Sequence, residues 1–283
     1  MKTICIYHKD CTDGTAAAAI VLRKHPDAVL YPLGHGYDPR ELEPILASVE
    51  KGDRILTVDC AIGAREFLAA GHAVTTIDHH VGAQGEYAKL AAENPAYTFI
   101  FDEKHSGAGL TWITLFPDEP MPELVKLVED QDIWNWRYSP DTDNVTNRLW
   151  MLDNRPDEVL RLMFQPLDGL KKEGRAITEY KQALIQRAMA KAEPTQVMVG
   201  AFKVPFYNLT DFKSELGNLL CAKHGGTVAL YTVEALHMRV SFRSLEAHTP
   251  SALDIAKLVG GNGHRNAAGA KMELDKFYGN IVR

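Results

Sequence analysis

Asp78-His79-His80 stand directly after the run Ala73-Val74-Thr75-Thr76-Ile77. A short β-branched run reads as a buried strand. An acid and two imidazoles at its end suit metal binding, because histidine is the commonest metal-binding side chain and carboxylates suit hard divalent ions. Three further segments share the property. His8-Lys9-Asp10-Cys11-Thr12-Asp13-Gly14 follows a strand pattern over 4–7, Asp59 follows one over 55–58, and Glu129-Asp130-Gln131-Asp132 closes a helical stretch. Ligands of open parallel α/β sheets bind beyond the carboxyl ends of the strands, so separate strands aim these groups at one edge. That edge suits a pair of ions about 3.5–4 Å apart, which clamp the attacking and leaving oxygens of a phosphoryl displacement. Asp59, alone at its strand end, is the residue to bridge them. One ion takes His8 and the first acid of the opening segment. The other takes Asp13, one of the tandem histidines and an acid from 129–132, with a water as nucleophile. Oxygen-rich ligation with a minority of imidazole favours manganese or magnesium over zinc.

The elements that must position these residues alternate along the first half. Strand patterns over 29–33, 73–77 and 97–101 join those over 4–7 and 55–58. Helical patterns over 15–23, 39–49, 64–70, 108–116 and 122–129 lie between or after them. Asp38 is placed as an N-cap with Pro39 in the first helical position. The expected fold class is α/β: a mostly parallel sheet with flanking helices, a long helical connector and a smaller C-terminal α/β domain. The expected boundaries are 1–155, 156–194 and 195–283.

Composition bounds the alternatives. The 283 residues are 46% hydrophobic and 24% charged, with net charge -6, ordinary for a globular protein and poor for a basic coat on nucleic acid. Cys5, Cys11, Cys60 and Cys221 form no CxxC pair, which argues against a structural zinc site. No apolar run approaches the roughly 18 residues that span a membrane. The expectation is a cytoplasmic protein with unpaired thiols and no membrane association.

The second half contributes Gly260-Gly261-Asn262-Gly263-His264-Arg265-Asn266-Ala267-Ala268-Gly269. Glycines let a backbone approach an anion or a base closely, and their N–H groups can form an anion nest. Arg243-Ser244 ends the strand pattern before it, and guanidinium suits bidentate phosphate contacts. Arg243, Ser244, Gly261, Asn262, Gly263 and His264 are therefore the expected substrate-binding residues of a phosphate or nucleotide clamp.

Taken together, these segments resemble the DHH phosphoesterase superfamily, named for the triplet at 78–80. Its opening motif is similar to 8–14, its strand-end Asp matches Asp59, and its associated substrate domain carries a pattern like that at 260–269. The resemblance covers nearly the whole chain. It implies a manganese-dependent phosphodiesterase or phosphatase of the nucleotide-handling branch. It implies His8, Asp13, Asp59, His79 and an acid at 130 or 132 as metal ligands, with Asp130 preferred. It also implies His80 as a phosphate-facing donor, Asp78 behind the imidazoles, and Arg243 and His264 on the substrate phosphate or its 3′-terminal ribose. One departure stands out. The spacing here is His-x-Asp-x-x-Asp-Gly, one residue longer than the common form, so Asp10 and Cys11 compete for one ligand position. Asp10 is preferred; Cys11 would shift the preference toward a thiophilic metal.

The leading expectation is a phosphodiesterase with two divalent ions, Mn2+ before Mg2+, that hydrolyses short oligonucleotides to 5′-mononucleotides. Asp59, Asp78 and His80 do the chemistry, and a homodimer is the candidate assembly. The alternatives are a phosphodiesterase for cyclic dinucleotides or another small phosphoester, and a non-catalytic nucleotide or metal sensor. Trp112, Trp134, Trp136 and Trp150 can stack on bases or serve as core.

Overall fold

The computed structural model describes residues 2–34, 37–235 and 237–282. The chain divides into two compact units, Met1–Glu179 and Tyr180–Arg283. In the first, β1 (Thr3–His8), β2 (Val29–Leu33), β3 (Arg54–Val58), β4 (Val74–Asp78) and β5 (Tyr97–Phe101) alternate with α1 (Thr12–Lys24), α2 (Pro39–Ser48), α3 (Ala64–Ala69) and α4 (Val81–Glu93). Then come α5 (Gly107–Leu115), α6 (Glu123–Asp132), α7 (Asp141–Leu149), α8 (Pro156–Met163) and α9 (Asp168–Lys191). The division between the units falls inside α9.

The first sheet is parallel throughout, in the order β2-β1-β3-β4-β5. Its strands are nearly continuous apolar runs because both faces are covered. Cys5, Tyr7, Leu56 and Val58 pack with Ala16–Ala19 of α1 and with Trp112 and Leu124, whereas Ile4, Ile6 and Ile55 pack with Leu42, Ile45 and Phe67. Asp38 caps α2 as expected, and does so through a reciprocal pair with Glu41. The expected α/β architecture is thus the one present.

The second unit holds β6 (Thr195–Val199), β7 (Phe202–Asn208), α10 (Lys213–His224), β8 (Val228–Glu234), β9 (His237–Arg243), α11 (Ala252–Lys257), β10 (Asn262–His264), β11 (Ala267–Glu273) and α12 (Leu274–Gly279). Its six-stranded sheet runs β10-β11-β9-β8-β7-β6 and is antiparallel except between β7 and β8. The glycine-rich segment forms an antiparallel hairpin and not an anion nest. The N–H groups of Gly260 and Gly261 donate to the carbonyls of Lys257 and Ala256, and that of Gly263 to Asn262 Oδ1. A β-carbon on Gly261 would meet the Gly269 carbonyl at 2.2 Å. Close backbone packing therefore accounts for this glycine.

Candidate metal centre

Parallel pairing puts the carboxyl ends of β1, β3 and β4 side by side. Tyr7 pairs with Val58 and Val58 with Ile77, so His8, Asp59 and Asp78-His79-His80 emerge at one edge. Asp59 has a left-handed backbone, φ +55, and its N–H donates to the Ile77 carbonyl. The two carboxylate oxygens of Asp59 face different neighbours. Oδ1 lies 3.1 Å from His79 Nε2, and Oδ2 lies 3.4 Å from His8 Nδ1 and 3.6 Å from Cys11 Sγ. Ligand atoms of His8, Asp59 and His80 lie within 4.8 Å of one another, and so do those of Asp13, Asp59 and His79. Asp59 belongs to both sets.

Asp13 comes from the first turn of α1. Its Oδ1 accepts from the Ala108 N–H at 3.1 Å, and its Oδ2 is buried without a hydrogen-bond partner. Gly14 beside it lets α1 pack on β1: a β-carbon there would stand 2.3 Å from the His8 carbonyl oxygen. Asp78 sits behind the tandem imidazoles. Its Oδ1 accepts from the N–H of His79 and of His80, and lies 2.7 Å from His80 Nδ1.

The protonation states follow from acids crowded into a buried site. Burial alone would raise the Asp59 carboxyl, but the His79 and His8 imidazoles overcome it and hold that carboxyl well below the usual range. Burial would lower His79, yet Asp59, Asp132 and Asp13 raise it to about 10. Burial, together with the charges of Asp132 and Asp59, pushes Asp13 well above the usual range. Among the described residues, no lysine or arginine pairs with Asp13, Asp59 or Asp132. An orphaned buried carboxylate oxygen, further acids and three imidazoles make a donor set that fits divalent cations.

Two expected ligands stand elsewhere. Asp10 is exposed and left-handed, φ +54, and its carboxylate accepts from Asn154 Nδ2. The extra residue of the opening motif is absorbed in this tight turn, which throws Asp10 outward and leaves Cys11 against Asp59. Burial, with the charges of Asp59, Asp132 and Asp13, raises the Cys11 thiol well above its ordinary value. Asp130 is buried, but it accepts from the N–H groups of Arg137 and Tyr138 and from the Thr142 hydroxyl. It ties a loop together. Asp132, one half-turn on, has Oδ2 3.4 Å from His79 Nε2.

The sequence reading missed Ser106-Gly107-Ala108. Ser106 caps α5 by accepting from the Gly109 N–H, and the Ala108 N–H meets Asp13. A β-carbon on Gly107 would stand 2.5 Å from Asp59 Cβ. A helix start needing a bare backbone was signalled only by serine before Gly-Ala-Gly.

In the second unit, Arg243 gives its guanidinium to the Phe242 carbonyl and the Ser214 hydroxyl, two neutral acceptors. Ser244 is buried, accepts from the Ala252 N–H and bonds Asn266; it braces β9 against α11. Asn262, Gly263 and His264 form β10, and Gly261 lies just before it. All four cysteines are unpaired. No helix among the described residues is long and apolar enough to cross a membrane.

No protein-family model matches the sequence. A curated protein, Uncharacterized protein R106 of Acanthamoeba polyphaga mimivirus, is 25% identical over 287 residues. The match covers 94% of this chain and spans 66% of that protein. Among solved structures, exonuclease RecJ bound to manganese is similar over 98% of this chain and 87% of its own, with 17% identity and a TM-score of 0.57. RecJ from Thermus thermophilus in complex with Mn2+ is similar over 98% of this chain and 50% of its own, with 16% identity and a TM-score of 0.59. At such identities the likeness concerns architecture: this chain shares the fold of RecJ.

Proposed function

We propose that the protein is a metal-dependent phosphodiesterase that hydrolyses short oligonucleotides to 5′-mononucleotides. The observation that carries this reading is Asp59, whose Oδ1 faces His79 and whose Oδ2 faces His8, beyond the carboxyl ends of a sheet folded like that of RecJ. The ligands are His8, Asp13, Asp59, His79 and Asp132. Asp132 takes the place first given to Asp130, whose carboxylate is already engaged. Asp10 points outward, and Cys11 stands inward beside Asp59 as a neutral thiol and not as a ligand. Divalent ions there supply Lewis-acid polarisation of a phosphate and acidify water.

The chain's own residues do the rest. Asp59 keeps its negative charge through contact with the imidazoles of His79 and His8. His80, oriented through Nδ1 by Asp78, faces the phosphate with its other nitrogen and donates to a non-bridging oxygen. Arg243 is the candidate phosphate contact of the second unit, because its guanidinium bonds two neutral acceptors and keeps its charge for a charge-assisted bond.

The test is a product assay with Mn2+ and a panel: a labelled dinucleotide, a longer single strand, a cyclic dinucleotide and pyrophosphate. Release of mononucleotides, fastest from the dinucleotide, is expected. Absence of turnover on every phosphoester with Mn2+ bound would sink the enzyme reading, and preference for the cyclic substrate would replace the oligonucleotide.

A further inference from the structure

Beyond Asp132 the chain runs Ile133-Trp134-Asn135-Trp136-Arg137-Tyr138, three aromatics in five residues. Burial is the ordinary fate of tryptophan, and Trp112 follows it at 1% exposure. Trp134 does not: it is 41% exposed, and Tyr138 is 45% exposed. Both Trp134 and Trp136 have left-handed backbones, φ +60 and +57, a conformation that bulky side chains rarely adopt. The surrounding structure enforces it. The Asp130 carbonyl accepts from the N–H groups of Asn135 and Trp136, and the Asp130 carboxylate accepts from those of Arg137 and Tyr138. A buried acid and four backbone donors thus hold a strained loop that leaves an indole in solvent. The Trp136 ring braces that indole edge-on, with centroids 5.0 Å apart.

The hydrogen bonds to Asp130 hold the loop, but folding gains nothing from leaving its indole exposed. Recognition gains from it. The exposed indole stands two residues from Asp132, whose carboxylate is 3.4 Å from His79. A rigid aromatic face on the loop that leads away from a site acid matches the flat base of a nucleotide, and such stacking is tolerant of base identity. We propose that Trp134, backed by Trp136, is a stacking platform for the nucleobase next to the phosphate handled at the Asp59 centre. This assignment rests on the phosphodiesterase reading, and it predicts a substrate that carries a base at that position.

The test compares the full-length protein with its Trp134→Ala and Trp134→Phe variants on a dinucleotide and on the same dinucleotide with an abasic residue. Trp134→Ala is expected to raise KM for the dinucleotide roughly ten-fold, with kcat little changed. Trp134→Phe, which keeps an aromatic face, is expected to stay near the wild type. The abasic substrate should be turned over equally by all three. An unchanged KM in Trp134→Ala, or an equal loss on the abasic substrate, overturns the platform. A binding measurement separates this inference from the enzyme reading. AMP should quench tryptophan fluorescence where ribose 5-phosphate does not, and the quenched fraction should fall in Trp134→Phe. If no phosphodiester is hydrolysed but that pattern holds, the platform stands and the catalytic reading falls. Equal AMP quenching in wild type and Trp134→Phe overturns the platform whatever the activity.

Discussion

Each unit gathers polar side chains at the end of a sheet, and the two sets are balanced in opposite ways. At the parallel sheet, Asp13, Asp59 and Asp132 crowd with His8, His79 and His80, and one buried Asp13 oxygen is left without a partner. At the mixed sheet, Ser244, Asn266, Glu246 and Arg265 bond to one another and to backbone. Parallel strands make the difference. Their carboxyl ends all point one way, so side chains from three strands converge at one edge, with fewer partners than acceptor atoms. Hairpin turns instead return the chain on itself and supply partners locally. A surplus of acids calls for a cation, while a closed network serves as scaffold.

The strongest way to break this comparison is Asp59→Asn. If the first cluster performs the chemistry, this change should lower kcat at least about a thousand-fold and abolish the rise in Tm on adding Mn2+. Retained activity would move the reaction elsewhere. Asp130 and Asp132 sharpen the contrast inside the first unit, because one is a scaffold acid and the other a site acid. Asp132→Asn should weaken Mn2+ binding by about 10- to 100-fold in calorimetry without lowering the Tm of the metal-free protein. Asp130→Asn should cost about 2–4 kcal/mol of stability in denaturant unfolding. Exchanged outcomes would reverse the two roles.

In the second unit the expected effect is smaller. Arg243→Gln should raise KM several-fold, on the order of one charge-assisted hydrogen bond, with kcat and metal binding kept. Loss of Mn2+ binding in this variant would erase the distinction between the clusters. Smaller still is the effect of pH on the metal-free protein. His79 is raised in the folded chain from 6.5 to about 10, so its stabilising contribution is complete below pH 6.5 and is lost as pH rises toward 10. The raised Asp13 carboxyl acts in the same direction from lower pH. The Tm should therefore fall across that window, and saturating Mn2+ should flatten the slope. A Tm that rises with pH in the metal-free protein would contradict the acid surplus.

Much of the site was legible because parallel strands covered on both faces are apolar runs, so the polar residue that ends each one stands out. Asp59 and Asp78-His79-His80 were read in this way. The helices α4 and α7 were not, for packing reasons. The first buries no residue, and the second buries Thr142, Asn144, Thr146 and Asn147 beside only two apolar residues, Val145 and Leu149, so polar residues mask its buried face. Gly107 was missed because its requirement is a clash with Asp59, far earlier in the chain.

By itself the sequence determined which chemical groups stand at the strand ends and that hydrogen-bonded parallel strands would bring them to one edge, because burial patterns and strand polarity are local properties. Only the tertiary structure decided between neighbours. Asp10 turns outward because Asn154, far along the chain, receives it, and Cys11 then faces Asp59. Asp130 is consumed by the loop at 137–142, and Asp132 is left for His79. Neighbouring candidate ligands are told apart by where they point, and contacts made elsewhere in the chain set that direction.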